Sequence, residues 1–215
     1  MLCGFVFQVF SFILVAAVCT TANAQTDIAL SVYGAFSNSA TPGNNNFFRE
    51  SPAASAGGLF GFRHISSPFL GWEATYSFHR ANEVYDELTF GPAPSSCNNT
   101  ACPTPTYAVS ANAQQFTAGC VPSVHIANFR PFALLGVGLL LNRPASGQSG
   151  TANSSQPVFV YGAGLDWGLA THIGLRLQYR GNLYKAPGIV PPNNTSPNTG
   201  FIHTAEPAIG AYYRF

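Results

Sequence analysis

Charge is what this 215-residue chain has least of. Nine Lys and Arg and eight Asp and Glu make up 8% of the residues, where a soluble globular domain carries about 25%. The two signs nearly cancel, to +1, and no Lys/Arg cluster occurs, which excludes the basic stripe that nucleic acid requires. Beyond residue 24 no apolar run approaches the roughly 20 residues of a membrane helix. The longest, Pro131 to Leu141, is broken by Gly136 and Gly138. Also missing are a phosphate-cradling glycine loop after a strand, a paired-carboxylate motif and any His/Cys set at metal spacing, so neither cofactor nor metal is expected. Disorder is excluded by an aromatic content of 13% spread along the whole chain.

Residues 1–24 contain no charged side chain at all. An apolar run from Phe5 to Val18 leads into Thr20-Thr21-Ala22-Asn23-Ala24, the small-x-small form of a signal-peptidase site. A secretory leader cut after Ala24 is predicted, leaving residues 25–215 as one domain of 215 − 24 = 191 residues. The charged segment that usually precedes such a run is absent, consistent with a start codon upstream of Met1. An uncleaved anchor is opposed by the shortness of the run, and lipid attachment at Cys19 by the Val18 before it.

What is present is alternation. From Phe69 to His79 one parity reads Leu70, Trp72, Ala74, Tyr76, Phe78 and the other Phe69, Gly71, Glu73, Thr75, Ser77, His79. Residues 158–169 set Phe159, Tyr161, Ala163, Leu165, Trp167 and Leu169 against Val158, Val160, Gly162, Gly164, Asp166 and Gly168. Residues 173–185 set Ile173, Leu175, Leu177, Tyr179 and Leu183 against Gly174, Arg176, Gln178, Arg180, Asn182 and Tyr184. Near the start, Ile28, Leu30 and Val32 alternate with Asp27, Ala29, Ser31 and Tyr33. A period of two means strands with one apolar face and one small or polar face.

A soluble sandwich alternates as well, but its exposed face carries Lys and Glu; here that face carries Gly, Thr and Ser. The apolar faces hold Trp72, Tyr76, Phe159, Trp167 and Tyr179, which reads as a lipid-facing aromatic girdle. Connectors also alternate in length. Long ones rich in Asn, Pro, Ser and Gly fall at about 37–53, 80–106, 143–157 and 186–202; short ones fall near Ser66-Ser67-Pro68, Ala127–Arg130 and Ala170-Thr171-His172. Four long and three short connectors join eight strands, with both ends on the short-turn side. Strands of roughly ten residues use about 80 residues and leave about 110 mostly to loops.

The chain ends Ala208-Ile209-Gly210-Ala211-Tyr212-Tyr213-Arg214-Phe215. A terminal aromatic with Tyr213 two places and Gly210 five places earlier resembles the signal read by the outer-membrane assembly machinery, Ala208 standing where that pattern wants a polar residue. Leader, parity and ending together resemble the eight-stranded OmpA/OmpX/opacity-type outer-membrane barrels, over essentially residues 25–215. The resemblance implies an all-β, antiparallel up-and-down transmembrane barrel in the outer membrane of a Gram-negative-type bacterium. Its partners would be the outer-membrane lipids, the assembly machinery and an extracellular ligand the sequence does not name. The peptidoglycan-binding domain of two-domain relatives has no counterpart within residues 25–215.

Eight strands leave a lumen just wide enough for side chains to fill. The parity aims Arg63, Glu73, Asp166, Arg176, Arg180, Glu206 and Arg214 into it. Asp166 and Arg176 are expected directly opposite each other, Arg63 and Glu73 diagonal, and Arg180 within reach of Glu206. A plug of paired charges is favoured over an ion path or gate.

Cys97 and Cys102, among four prolines of the second long loop, are expected to form a disulfide in an oxidising compartment; a metal site there lacks any neighbouring His. Cys120 is left over on a stretch of unclear parity, with a bulge expected at Gln114-Gln115, or as an alternative partner for either loop cysteine. The loops, with Asn44-Asn45-Asn46, Pro191-Pro192-Asn193-Asn194 and the acidic Glu83, Asp86 and Glu87, suit either surface recognition or plain solvation. The glycosylation strings at Asn98, Asn153 and Asn193 matter only in a eukaryotic route, which the chain ending opposes. An enzymatic reading has one candidate set, Ser77, His79 and Glu83, at spacing a hydrolase tolerates. Ser77 and His79 share the inward parity, though, whereas a lipid substrate comes from outside, so no catalysis is expected.

Overall fold

Wherever the alternation is regular, the backbone extends. In the computed structural model residues 24–40, 48–67, 69–87, 106–145, 153–187, 189 and 200–215 are described. They form β1 (Gln25–Ser37), β2 (Phe48–Pro52), β3 (Ser55–Ile65), β4 (Leu70–Glu87), β5 (Thr106–Pro122), β6 (Phe129–Pro144), β7 (Ser154–Gly168), β8 (Ile173–Lys185) and β9 (Phe201–Arg214). Every pairing is antiparallel: β1 pairs with β3, β2 and β3 both pair with β4, each strand from β4 to β8 pairs with the next, and β1 pairs with β9, closing the sheet on itself. Closure lets a sheet cross lipid, because it leaves no edge of unpaired backbone groups, each costing several kcal/mol in hydrocarbon.

Nine strands make eight staves. Both β2 and β3 pair with β4, and the register changes between them: Pro52 faces Glu83, but Gly57 faces His79. Four residues, 53–56, thus oppose three, 80–82, a bulge that exchanges which parity points inward. Even-numbered Glu50 and Pro52 and odd-numbered Leu59 and Arg63 therefore share the lumen.

The burial is inverted relative to a soluble protein. Leu30, Val32, Leu135, Val137, Leu139, Leu177 and Ile209 are exposed on the outer surface, while Asp27, Arg63, Glu73, Asp166, Arg176, Arg180 and Glu206 are buried. Outward, the apolar band on β4 runs from Leu70 to Phe78 and stops at exposed Arg80. The strand continues to Glu87, so the barrel wall rises well beyond the lipid.

Four sequence expectations change. Strands of 13 to 18 residues occur where about ten suffice for lipid, so parts of the expected long connectors are strand, Glu83 among them. The turn expected at Ala127–Arg130 is centred on Ala127, which takes φ 52°, and Asn128, and it is closed by mutual backbone bonds between Ile126 and Phe129. Arg130 is already on β6 and buried. Finally, β5 has no bulge at Gln114-Gln115: its register with β4 and β6 is unbroken, and Cys120 faces outward, exposed. Cys97 and Cys102 lie outside the described residues.

Candidate functional site

Among the described residues the buried charges gather in the lumen, where the side chains form successive layers. In the layer nearest the short turns but one, five charged groups from five strands meet: Asp27 (β1), Arg63 (β3), Glu73 (β4), Asp166 (β7) and Arg176 (β8). Arg63 donates from Nε to Glu73 Oε2 at 2.7 Å and from Nη1 to Asp166 Oδ2 at 3.0 Å. Arg176 grips Asp166 with two bonds, Nε to Oδ1 at 2.7 Å and Nη2 to Oδ2 at 3.0 Å, and also reaches Asp27 Oδ1 at 2.9 Å. Two-pronged guanidinium–carboxylate contacts are the strong kind. The Arg63 guanidinium stacks 3.9 Å above the Phe132 ring, which floors the layer.

Arg63 and Glu73 are Cα partners, not diagonal neighbours as the sequence suggested, because the β3–β4 connection is one residue longer than assumed and its centre falls one residue later. Asp166 and Arg176 are also Cα partners, as are Arg180 and Glu206. What pairing across adjacent strands does not supply is the Arg63–Asp166 bond, which spans the lumen from β3 to β7. Asp27 was legible, since it shares the polar parity of Ser31 and Tyr33, but it is not among the seven charges the sequence reading gathered. Arg214 points inward but stands at the mouth, half-buried, its Nη2 3.4 Å from the Tyr212 hydroxyl.

Above this layer Thr75 and Thr117 share a hydrogen bond, and Arg180 reaches Thr117 Oγ1 at 3.3 Å and Glu206 at 3.9 Å. Gln115 donates to Asn182 Oδ1 at 3.1 Å. Higher still, hydroxyls take over: Tyr184 and Ser37 both bond Thr204, at 3.0 and 2.7 Å. Apolar Ala113, Leu140, Val158 and Ile202 fill the remaining space. The lumen is packed from wall to wall through its middle.

At the outer end Glu50 and Glu83 are both buried, diagonal neighbours across the β2–β4 pairing. Burial, and then the Glu50 carboxylate, push the Glu83 carboxyl up to about 8. This acid pair was invisible in the sequence because residues 37–53 and 80–106 read as loop, which carries no parity.

Of the expected enzymatic set, Ser77 is buried and His79 Nδ1 shares a 2.9 Å hydrogen bond with the Tyr33 hydroxyl, while Glu83 lies four residues further along β4. The three are not brought into one hydrogen-bonded chain.

Outside, Trp72 packs on Phe62 at 5.4 Å and Trp167 stacks on Phe129 at 5.9 Å, both near the short turns. Phe159 lies eight residues from Trp167 on β7, about 26 Å along the strand, where its neighbour Tyr161 bonds His203 at 2.8 Å. These mark the two edges of the lipid band. Tyr76 and Tyr179 also face outward, but four residues beyond Trp72 and beyond Leu175, the partner of Trp167, about 13 Å along the strands. They sit at mid-band and not in a girdle. At the chain end, Tyr213 and Phe215 contact edge to face at 5.2 Å on the outer wall, and Gly210 lets Ser31 approach from β1.

A family model described as outer membrane protein beta-barrel domain matches residues 10–215. No curated protein matches the sequence. Among solved structures, outer membrane protein OprG of Pseudomonas aeruginosa shares 12% identity at a TM-score of 0.57, covering 92% of this chain and 99% of that one. Neisserial surface protein A shares 14% at 0.56, covering 90% and 100%. Ail, the attachment invasion locus protein of Yersinia pestis, shares 14% at 0.50, also covering 90% and 100%. At such identities the likeness is one of fold.

Proposed function

Since the chain belongs to the outer-membrane protein β-barrel domain family, and its place is the outer membrane of a Gram-negative-type bacterium, we propose that it is a closed, non-conducting barrel whose work is done at the cell surface by the wall and connectors above the lipid. The observation that carries this reading is the cross-braced lumen. Arg63 and Arg176 join three carboxylates from three different strands across the lumen near its short-turn end, and such a plug leaves no continuous path for a solute. With the interior spent on packing, the variable parts are the ends. The outer end has the larger investment: β4 and β5 pair as far as Asp86 and Thr106, a raised hairpin beyond the band that lipid needs. The assembly machinery would read the β9 ending, and lipids the apolar belt.

Two measurements test it. Planar-bilayer recording of the refolded barrel is expected to show no steps; steps that vanish on neutralising Arg176 or Arg180 would replace the reading with an ion path. Cells displaying the barrel with residues 88–105 and 190–199 replaced by short Gly-Ser linkers are expected to keep a heat-modifiable barrel and to lose adherence or autoaggregation. Unchanged surface behaviour would refute the surface role. A lipid-modifying enzyme is disfavoured because His79 is turned inward and held by Tyr33; a changed lipid A acylation profile in His79→Ala cells would revive it.

A further inference from the structure

The short-turn end of the lumen is open where the middle is packed. A cavity of about 320 Å³ lies there between the β5–β6 and β7–β8 turns, lined among others by His125, Asn128, Arg130, Asp166, Tyr212 and Arg214. Two of these are cations without a direct carboxylate partner. Arg130 is 4% exposed; its Nη2 donates to the neutral side-chain oxygen of Gln25, and its Nη1 has no hydrogen-bond partner among the described residues. Arg214 leaves its Nε equally unpartnered. Neither arginine is in an ion pair within the described residues; the two repel each other across the mouth, while Asp166 and Asp27 attract Arg130 without touching it.

Among the side chains of this end, cations outnumber carboxylates. Arg63, Arg130, Arg176 and Arg214 bring four positive charges; Asp27, Glu73 and Asp166 bring three negative ones. All three carboxylates are engaged by Arg63 and Arg176, so neither Arg130 nor Arg214 has a carboxylate side chain in direct contact. Asp166 forms part of the cavity wall, but both its oxygens already accept from those inner arginines. An unpaired buried guanidinium is expensive, and a planar donor fork with a free edge matches an oxyanion.

We propose that this inner mouth is a binding site for a small soluble molecule bearing one oxyanion group, a carboxylate or a phosphate ester, held between Arg130 and Arg214 with the Tyr212 hydroxyl as a further donor. The volume is that of about ten waters, enough for the anionic group and a few attached carbons. A lipid headgroup is the wrong source: both arginines face the lumen, whereas the lipid-facing parity beside them is Phe129, Tyr213 and Phe215. In the periplasmic orientation of the short turns, the ligand enters from the periplasm. This site is independent of any surface role.

The test uses the refolded full barrel in a non-ionic detergent, titrated with inorganic phosphate and separately with acetate, ionic strength held constant with chloride. Arginine side-chain Nε–H resonances are read by NMR. Saturable shifts confined to Arg130 and Arg214 are expected with at least one of the two probes. Arg214→Gln, at the half-exposed position, is expected to weaken binding at least tenfold while the barrel still shows its heat-dependent gel shift. Arg130→Gln should act likewise, and Arg80→Gln on the outer surface should change nothing. Shifts that stay linear, follow ionic strength alone or survive in the double Arg130→Gln/Arg214→Gln variant would overturn the site. So would shifts produced only by phosphatidylglycerol vesicles, which would assign the arginines to lipid.

Discussion

Replacing Glu83 by Gln should abolish a pH dependence that the outer end of the barrel otherwise shows. Glu83 sits beyond Arg80, above the lipid band, buried beside Glu50 of β2. Tyr184 of β8 faces the same space with its hydroxyl on Thr204, and the Arg180–Glu206 pair lies below. Burial and the neighbouring carboxylate raise the Glu83 carboxyl from its ordinary value near 4.5 to about 8. The fold thus prefers the protonated acid, so its contribution is intact below pH 4.5 and is lost as pH rises through 8. Each pH unit in that window removes about 1.4 kcal/mol; the whole window is worth on the order of a few kcal/mol. A glutamine is nearly isosteric, carries no charge at any pH and can donate to Glu50. Thermal unfolding in a non-ionic detergent, followed by the gel shift at pH 5, 7 and 9, is the assay. The wild-type midpoint should fall from pH 5 to pH 9, while that of Glu83→Gln should stay nearly level and exceed wild type at pH 9. Equal slopes for the two proteins, or a wild-type midpoint that climbs with pH, would refute the reasoning.

Asp166→Asn removes the carboxylate that Arg63 and Arg176 both hydrogen-bond, leaving two buried guanidiniums short of charge; a loss of about 3–5 kcal/mol is expected from denaturant titration of refolded barrels. At Gly174, where an added Cβ would run into the Tyr212 ring lying across it, Gly174→Ala should displace Tyr212 and cost about 1–3 kcal/mol in the same titration, with a matching change in tyrosine fluorescence.

Faces were legible in the sequence, while heights and cross-lumen contacts were not, and the difference has one cause. A period of two assigns each side chain to a face wherever one face is apolar, because a one-residue slip would turn the whole strand over; Glu73, Asp166, Arg176 and Arg180 follow from this alone. On β6 the rule fails. Phe132, Leu134 and Leu140 point inward and Leu135, Val137 and Leu139 outward, so both faces look alike, and Arg130 at the strand's start reads as turn. Between β2 and β3 it fails differently: the bulge at residues 53–56 reverses parity within a Ser/Ala/Gly stretch that offers no large side chain to reveal it. Height depends on register and tilt, which neighbour pairing fixes only in three dimensions, and this is why Tyr76 and Tyr179 were placed with the girdle.

The scarcity of charge with which the sequence begins is therefore a matter of location. Six of the eight acidic residues, Asp27, Glu50, Glu73, Glu83, Asp166 and Glu206, are buried in the lumen. A soluble domain would carry such groups on its surface; here the middle of that surface is lipid-facing, and ionised groups are costly there. The retained charges are divided among strands so that no neighbouring pair satisfies them fully. Asp166 needs Arg176 from the adjacent β8 and Arg63 from β3 on the other side of the lumen; Asp27 of β1 needs Arg176 of β8, with β9 between them. In an open sheet those partners are far apart and the guanidiniums remain incompletely paired in a dehydrating interior. Only when β4 meets β5 and β1 meets β9 do all five groups arrive together. Pairing of the lumen charges and closure of the wall are consequently one event, which gives the closed barrel an advantage over partly zipped alternatives that apolar alternation, being satisfied strand by strand, does not supply.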